Sequence, residues 1–166
     1  MRVLILGVGN ILLRDEGIGV AAVHRLQECY EWPENVELLD GGTQGIKLMS
    51  QIQQCDLLLV LDAVLGDGPP GALYRLEGNE VRNSLGFRDS VHQTDLADTL
   101  LFCRLADGPC PEVLVLGMQP AEWHTLQPEL TPESAARLPA LCALAVEELL
   151  ARGVAVREKS AACPPA

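Results

Sequence analysis

Short apolar runs that alternate with helical patterns place the strongest constraint on the fold of this chain. Three of them, RVLILG (residues 2–7), DLLLVLDAV (56–64) and EVLVLGM (112–118), are almost continuously apolar. Such runs are typical of strands that are buried on both faces of a parallel sheet. Over residues 18–30, apolar side chains recur every four positions, which predicts an amphipathic helix. The alternation of strands and helices predicts an α/β fold with a mostly parallel sheet.

Weaker patterns complete the predicted fold. They indicate a strand at 36–39, a turn at 40–45, a helix at 46–52, a strand at 72–76 and a helix at 96–103. The strand at 72–76, ALYRL, alternates apolar and polar side chains and is a candidate antiparallel edge strand. Thr131 followed by Pro132 is typical of a helix start, and this last helix is predicted to run to about Ala151.

The charge of the chain argues against several classes of partner. The net charge is −11, and the 12 Lys and Arg residues form no cluster, whereas nucleic-acid-binding proteins usually carry a basic patch. We therefore expect no nucleic-acid partner. We also expect no membrane insertion, because no apolar run approaches the ~20 residues of a membrane helix. The length favours one domain, assigned to residues 1–157 with a disordered tail over 158–166, and we expect a monomer.

The cysteines and the catalytic motifs point away from a disulfide framework and from a nucleophilic hydrolase. None of the six cysteines belongs to a CxxC pair, and their scatter predicts reduced thiols and a cytoplasmic location. The chain has no G-x-S-x-G motif, and no cysteine has an evident histidine partner to activate it.

The loop that follows the first strand, GVGNILLRDEGIG (7–19), is glycine-rich but does not suit a phosphate. A dinucleotide-binding loop needs a third glycine at the position of Leu12, and the Walker pattern is absent. Asp15 and Glu16 would repel a phosphate group. We therefore expect this loop to face a cation or an electropositive partner.

Two carboxylates and one imidazole are candidate ligands for that cation. Asp62 ends the apolar central strand, and open α/β sheets bind ligands beyond the carboxyl ends of their strands. Ser90 and Gln93 fit a capping box, which would place His92 in the first turn of a helix. The helix dipole there disfavours an imidazolium, and a neutral imidazole can bind a metal.

Each candidate also has a structural explanation. Glu16 could simply complement the dipole of the helix that follows, Asp62 could cap the next turn, and His92 could be a surface histidine. Together the three side chains form a ligand set that borderline ions such as Ni²⁺ or Zn²⁺ accept. No compact ligand motif such as HExxH is present, so the residues alone leave both interpretations open.

The ordered set of motifs resembles the nickel-iron hydrogenase maturation endopeptidases. The resemblance rests on VLILGVGNILLRDEGIGV, DGGTQG, LLLVLDAV, SVHQTDL, VLVLGMQP and LTPESAARLPALCALAVEEL. These segments occur in the order of the family and cover about residues 2–150. The family fold is a twisted, mostly parallel five-stranded sheet with helices on both faces and one antiparallel strand, and the strand at 72–76 suits the antiparallel position.

The resemblance implies an activity and a set of site residues. The family removes a C-terminal extension from the hydrogenase large-subunit precursor once nickel is in place, so that the nickel is carried by the substrate. Its metal-contacting positions correspond to Glu16, Asp62 and His92, and other divalent metals could occupy them in the isolated protein. Asp40 and Thr43 correspond to positions linked to substrate handling, with Asp40 the candidate general base.

Two rival functions share some of these features. Peptidyl-tRNA hydrolase-like proteins also begin with a strand and a G-x-G-N turn, but they require an early histidine and a basic face. The earliest histidine here, His24, falls on the polar face of a helix and is predicted to be solvated. A nickel-binding chaperone that does not cleave its partner would use Glu16, Asp62 and His92 equally well, and only a cleavage assay separates it from the peptidase.

Overall fold

The strands of the fold belong to one large sheet and one small one. The computed structural model describes residues 1–78, 80–81, 98–101, 103 and 110–160. Within them the strands are β1 (Val3–Val8), β2 (Tyr30–Glu31), β3 (Val36–Gly42), β4 (Leu57–Ala63), β5 (Leu73–Glu77), β6 (Glu112–Met118) and β7 (Arg157–Glu158). The large sheet has the order β3-β1-β4-β6-β5, and β2 pairs with β7.

The strand order follows from burial. All seven residues of β4 are buried, and β4 lies in the middle of the sheet between its parallel neighbours β1 and β6. The short strand β5 pairs antiparallel with β6 at the edge, where it is only partly buried. The predicted α/β fold, with a mostly parallel five-stranded sheet and one antiparallel strand, is confirmed.

Helices cover both faces of this sheet. Helix α1 (Ile18–Cys29) and the C-terminal helix (Pro132–Ala151) pack on the face to which Leu59 and Leu61 contribute. The opposite face, to which Leu58 and Val60 contribute, is covered in part by a 3-10 turn (Gly45–Leu48) and the short helix α2 (Met49–Ile52). This alternation along β4 is the two-residue period of a strand that is buried on both sides.

The second parallel strand is longer than predicted. The sequence indicates a turn at 40–45, whereas β3 continues to Gly42. The extension comes from its pairing with β1, because the register shifts after Gly7 so that Val8 pairs with Gly42. The N–H of Gly9 then donates to the carbonyl of Gly42 at 3.0 Å. Asp40 therefore lies within a strand rather than in a turn.

The predicted helix ends are confirmed where the structure describes them. The Thr131 hydroxyl accepts a hydrogen bond from the N–H of Ser134 at 3.3 Å, and Pro132 is the first helical residue. Residues 98–101 and 103, within the helix predicted at 96–103, are helical. No helix among the described residues is long and apolar enough to cross a membrane.

The end of the described chain lies against the end of α1. Strand β7 pairs with β2, and the N–H of Lys159 donates to the carbonyl of Cys29 at 2.8 Å. Glu158 and Lys159 are thus paired with the domain although they belong to the tail that the sequence predicts to be disordered. Residues 161–166 lie outside the described part, and the domain assignment stays a prediction.

One part of the cysteine prediction is wrong. Cys29 is disulfide-bonded, although Cys55, Cys103, Cys110 and Cys142 are free as expected. The spacing of cysteines along the chain does not show which sulfur atoms the fold brings together. The scatter of the cysteines therefore did not predict that Cys29 is oxidised.

Candidate active site at the carboxyl edge of the sheet

Two of the three predicted metal ligands are buried on elements that touch. Glu16 belongs to a 3-10 turn (Arg14–Gly17) that precedes α1 and packs against β4, and Asp62 lies at the carboxyl end of β4. Glu16 is 7% exposed and Asp62 is 4% exposed. Carboxylates are rarely buried without a specific environment, and two of them on contacting elements make this edge the candidate site.

The third predicted ligand, His92, lies outside the described residues, as do Ser90 and Gln93 of the predicted capping box. Among residues 1–78, 80–81, 98–101, 103 and 110–160, no three His, Cys, Asp or Glu side chains are grouped as a metal site. The ligand set of Glu16, Asp62 and His92 therefore stays a prediction.

Two glycines bring α1 unusually close to the sheet. A Cβ atom at Gly19 would lie 2.1 Å from the carbonyl oxygen of Leu61 and 2.5 Å from that of Val8, and a Cβ at Gly7 would lie 2.4 Å from the carbonyl oxygen of Gly19. These glycines serve close packing of helix and strand. The first turn of α1 therefore packs directly on the end of β4, at Leu61, the residue that precedes Asp62.

The remainder of the loop is tightly folded around Glu16. Gly9 has φ +127°, a conformation that residues with a Cβ rarely adopt, and a Cβ there would lie 1.8 Å from the carbonyl oxygen of Glu16. Arg14 has φ +46°, which is uncommon for a residue other than glycine. Its N–H donates to the carbonyl of Gln127 at 2.8 Å. The loop is thus held by contacts both within itself and to the segment between β6 and the C-terminal helix.

Asp15 is the anion that the glycine-rich loop contributes. Its side chain is fully buried. The N–H of Thr131 donates to Oδ1 at 2.7 Å, while Oδ2 accepts from the Thr131 hydroxyl at 2.8 Å and from the N–H groups of Ala121 and Glu122 at 2.9 and 3.2 Å. From the sequence, Asp15 is predicted only to repel phosphate. Its partners lie 106–116 residues away, beyond the reach of any local pattern.

The carboxylate of Asp62 is oriented by its own backbone. Its Oδ1 accepts a hydrogen bond from the N–H of Ala63 at 2.7 Å, the kind of local contact that the turn-capping interpretation expects. Asp62 follows Leu58 and Val60 at two-residue spacing, and these two side chains belong to the cluster on the α2 face. The alternation of a strand therefore directs Asp62 toward that face.

Asp40, the candidate base, is directed toward the other face. Its Oδ2 lies 3.1 Å from Nε2 of His24 on α1, and both side chains are about half exposed. His24 is exposed, as the sequence predicts, and it also pairs with Asp40, because the close approach of α1 to the sheet brings it to β3. Thr43, just beyond β3, is exposed. The roles of Asp40 and Thr43 stay predictions.

The electrostatic character of this edge is acidic. In the segment that holds Asp15, the Glu122 carboxylate accepts hydrogen bonds from the N–H groups of His124 and Thr125 at 2.7 and 3.0 Å. The bond from His124 is the main cause that lowers the pKa of Glu122 below its ordinary value. With Asp15, Glu16 and Asp62 nearby in the fold, the edge is suited to a cation rather than to an anion.

Comparison with known proteins identifies the family to which this chain belongs. The family model described as hydrogenase maturation protease matches residues 20–148. The hydrogenase expression/formation protein HupD of Thiocapsa roseopersicina is 41% identical over 160 residues, 95% of this chain and 72% of HupD. The hydrogenase 2 maturation protease of Escherichia coli K12 is 39% identical over 169 residues, 99% of this chain and 96% of that protein.

A solved structure shows the same fold. The hydrogenase maturating endopeptidase HybD from E. coli superposes with a TM-score of 0.91 at 35% identity, covering 98% of this chain and 100% of HybD. The fold, the family model and the similarity over nearly the whole chain lead to one conclusion: this chain belongs to the hydrogenase maturation protease family.

Proposed function

We propose that this protein is an endopeptidase that removes the C-terminal extension of a nickel-iron hydrogenase large-subunit precursor after nickel insertion, and that the nickel in the precursor is the element it recognises. The observation that carries the proposal is the pair of buried carboxylates, Glu16 and Asp62, on contacting elements at the carboxyl edge of the sheet. The family that the chain belongs to supplies the proteolytic activity.

Exposed apolar side chains beside these carboxylates support a protein substrate. Ile11 and Leu12, in the loop that leads to Glu16, are 53% and 52% exposed, and Leu126 is 77% exposed. The two loops are joined by a hydrogen bond of 2.8 Å from the N–H of Gln127 to the carbonyl of Leu12. Apolar residues that cluster at a site are typical of a surface that contacts another protein.

The chemistry proposed for this site depends on positioning. Glu16, Asp62 and His92 would bind the precursor through its nickel and so fix the scissile bond, because a bound geometry replaces a bimolecular encounter. A divalent ion at that point could polarise the carbonyl or activate a water. Asp40 is the proposed base or backbone contact. Asp40 is directed toward α1, away from the face of Asp62. This orientation favours a contact with the backbone of the substrate peptide over the role of general base.

The buried thiols of Cys55 and Cys142 do not offer an alternative nucleophile. Burial raises the pKa of Cys55 to about 11 and that of Cys142 to about 12, and a thiol is nucleophilic only as the thiolate. Cys110 is exposed, but the sequence offers it no evident histidine partner to activate it. Cleavage is therefore expected to be insensitive to serine- and cysteine-directed inhibitors.

The central experiment compares nickel-loaded with nickel-free precursor. Each is incubated with the purified protein, and intact masses are read over time. Shortening of the nickel-loaded precursor alone supports the proposal. Equal cleavage of both would refute recognition through nickel, and cleavage of neither, together with nickel transfer, would favour a chaperone.

Substitution of the predicted ligands tests the site. Glu16→Gln, Asp62→Asn and His92→Leu are each expected to abolish processing while the fold is retained, since even changes around metal ligands typically cost ~10–100-fold. The matched control is Asp56→Asn, the same change at the exposed, opposite end of β4. Normal processing by Asp62→Asn would contradict the proposed site.

The metal content of the free protein separates the peptidase from the chaperone. Two carboxylates and an imidazole lack the thiolates that help hold a metal, so that little nickel should remain after purification, although cadmium or zinc from buffers could bind. Nickel in stoichiometric amount after dialysis against a mild chelator would favour the chaperone.

Asp40→Asn distinguishes a general base from a residue that only stabilises the backbone of the protein next to it. A base would lose turnover while the variant still captures nickel-loaded precursor, whereas a residue that only stabilises the neighbouring backbone would lose thermal stability and binding together. A variant that cleaves and melts like the wild type would show that Asp40 has neither role.

A further inference from the structure

We propose that Asp15 is a positioning residue that fixes the main-chain position of Glu16 relative to Asp62, and that the segment from Ala121 to Thr131 therefore helps to position the candidate active site. The inference rests on the proposed function only for the role of Glu16. Its first support is the hydrogen-bond inventory of Asp15: four donors from Ala121, Glu122 and Thr131 reach one fully buried carboxylate.

The number of bonds matters because a carboxylate with several charge-assisted bonds cannot rotate or translate freely. One oxygen is bonded to the N–H of Thr131 and the other to the Thr131 hydroxyl and two further N–H groups. Thr131 is itself the N-cap of the C-terminal helix. Asp15 therefore joins the loop after β1 to the start of the longest described helix and to the segment that follows β6.

The bonds of Asp15 also restrict the position of Glu16, because Glu16 is the next residue in the same 3-10 turn. The backbone on its N-terminal side is tied down as well, since the N–H of Asp15 donates to the carbonyl of Glu122 at 3.1 Å and the N–H of Glu16 donates to that of Leu13 at 3.1 Å. On its C-terminal side, α1 is packed directly on β4 at Gly19. With both flanks fixed, the main-chain position of Glu16 relative to Asp62 is set.

The backbone strain at Arg14 is consistent with this role. A residue with a side chain at φ +46° persists where its surroundings impose the conformation. Here the bonds of Arg14 to Gln127 and of Asp15 to Thr131 impose it. Without the Asp15 anchor, the turn is expected to relax and Glu16 to lose its fixed position.

The test begins with Asp15→Asn, which keeps the shape but replaces one acceptor oxygen with a donor that faces other donors. Amide hydrogen exchange is measured at 25 °C. The N–H of Glu16 is expected to exchange at least about tenfold faster, while amides in β4 keep their wild-type protection, because local opening and global unfolding are separable in this measurement. Unchanged exchange at Glu16, or an equal increase in β4, would overturn the proposal.

Turnover provides the second measurement. Asp15→Asn is expected to lower the rate of cleavage of nickel-loaded precursor by about 10–100-fold, the usual effect of changes around metal ligands. Wild-type turnover in this variant would also overturn the proposal. If the wild-type protein does not cleave at all, the proposed function fails, and hydrogen exchange alone still decides whether Asp15 fixes Glu16.

Thr131 offers a milder pair of variants in case Asp15→Asn does not fold. Thr131→Val removes the hydroxyl bond to Asp15, and with it the N-cap bond from the N–H of Ser134, but retains the backbone bond to Asp15. It should raise Glu16 exchange and lower turnover to a smaller extent, and protection at Ser134 reports the loss of the cap separately. Thr131→Ser retains the hydroxyl and should restore both toward wild type. If Val and Ser behave alike at this position, the hydroxyl bond to Asp15 has no positioning role, and the inference is refuted.

Discussion

Gly19→Ala is the substitution for which the structure makes the sharpest prediction. Gly19 lies in the first turn of α1, where alanine would ordinarily be favoured over glycine by up to ~1 kcal/mol. The new Cβ, however, would lie 2.1 Å from the carbonyl oxygen of Leu61 and 2.5 Å from that of Val8. Both atoms belong to the backbone of the central sheet and cannot move aside as a flexible side chain can.

The balance of helix propensity against overpacking determines whether Gly19→Ala raises or lowers the free energy of unfolding. Van der Waals contact between heavy atoms requires about 3.5 Å, so that α1 must move away from β4 by roughly 1 Å or more. Overpacking of this kind typically costs ~1–3 kcal/mol, and it outweighs the gain in helix propensity. We expect a net destabilisation of about 1–2 kcal/mol, equivalent to a fall in Tm of roughly 2–8 °C for a chain of this size.

The same displacement should affect function more than stability. Movement of α1 shifts Glu16 relative to Asp62, and a misplacement of about 1 Å can cost ~100-fold in rate. Thermal unfolding by circular dichroism and cleavage of nickel-loaded precursor at 25 °C measure the two effects. Glu28→Ala, at an exposed position of the same helix, is the control and should change neither. A Gly19→Ala protein with unchanged Tm and cleavage would refute the close-packing explanation of this glycine.

Three further predictions concern groups away from the buried carboxylates. The hydrogen bond from Arg75 on β5 is the largest cause that lowers the pKa of Glu148 below its ordinary value. The stability that this bond contributes is therefore present above about pH 4.5 and is lost as the pH falls through the lower pKa of the folded state. Glu148→Gln should lower the free energy of unfolding by about 1 kcal/mol at pH 7, and between pH 5 and pH 3 the Tm of this variant should fall less than that of the wild type. Iodoacetamide at pH 8 should label exposed Cys110 in the native protein but not Cys142, whose pKa burial raises to about 12, and peptide mass mapping before and after denaturation checks this. His24→Ala should change the free energy of unfolding in urea by less than about 1 kcal/mol, since its pair with Asp40 is about half exposed; a loss above 2 kcal/mol would contradict that assignment.

The sequence by itself determined the class of fold and the order of its elements. Continuous apolar runs predicted the buried strands β1, β4 and β6, and alternation predicted the edge strand β5, because burial on two faces or on one leaves a direct trace in residue spacing. Asp62 was found for a related reason: a carboxylate at the end of an apolar run stands out without any knowledge of its neighbours.

Tertiary structure alone decided the relations between segments that are distant in the chain. The hydrogen bonds to the Asp15 carboxylate join residues more than 100 positions apart. The pair of His24 and Asp40 depends on how closely α1 approaches β3. The disulfide at Cys29 could not be inferred from the spacing of the cysteines. The glycines of the first loop show the same limit. Their pattern indicated a loop that faces a cation or an electropositive partner. Only the folded chain shows that Gly7 and Gly19 serve the close contact of helix and strand, since contact distances depend on the packing of the whole domain.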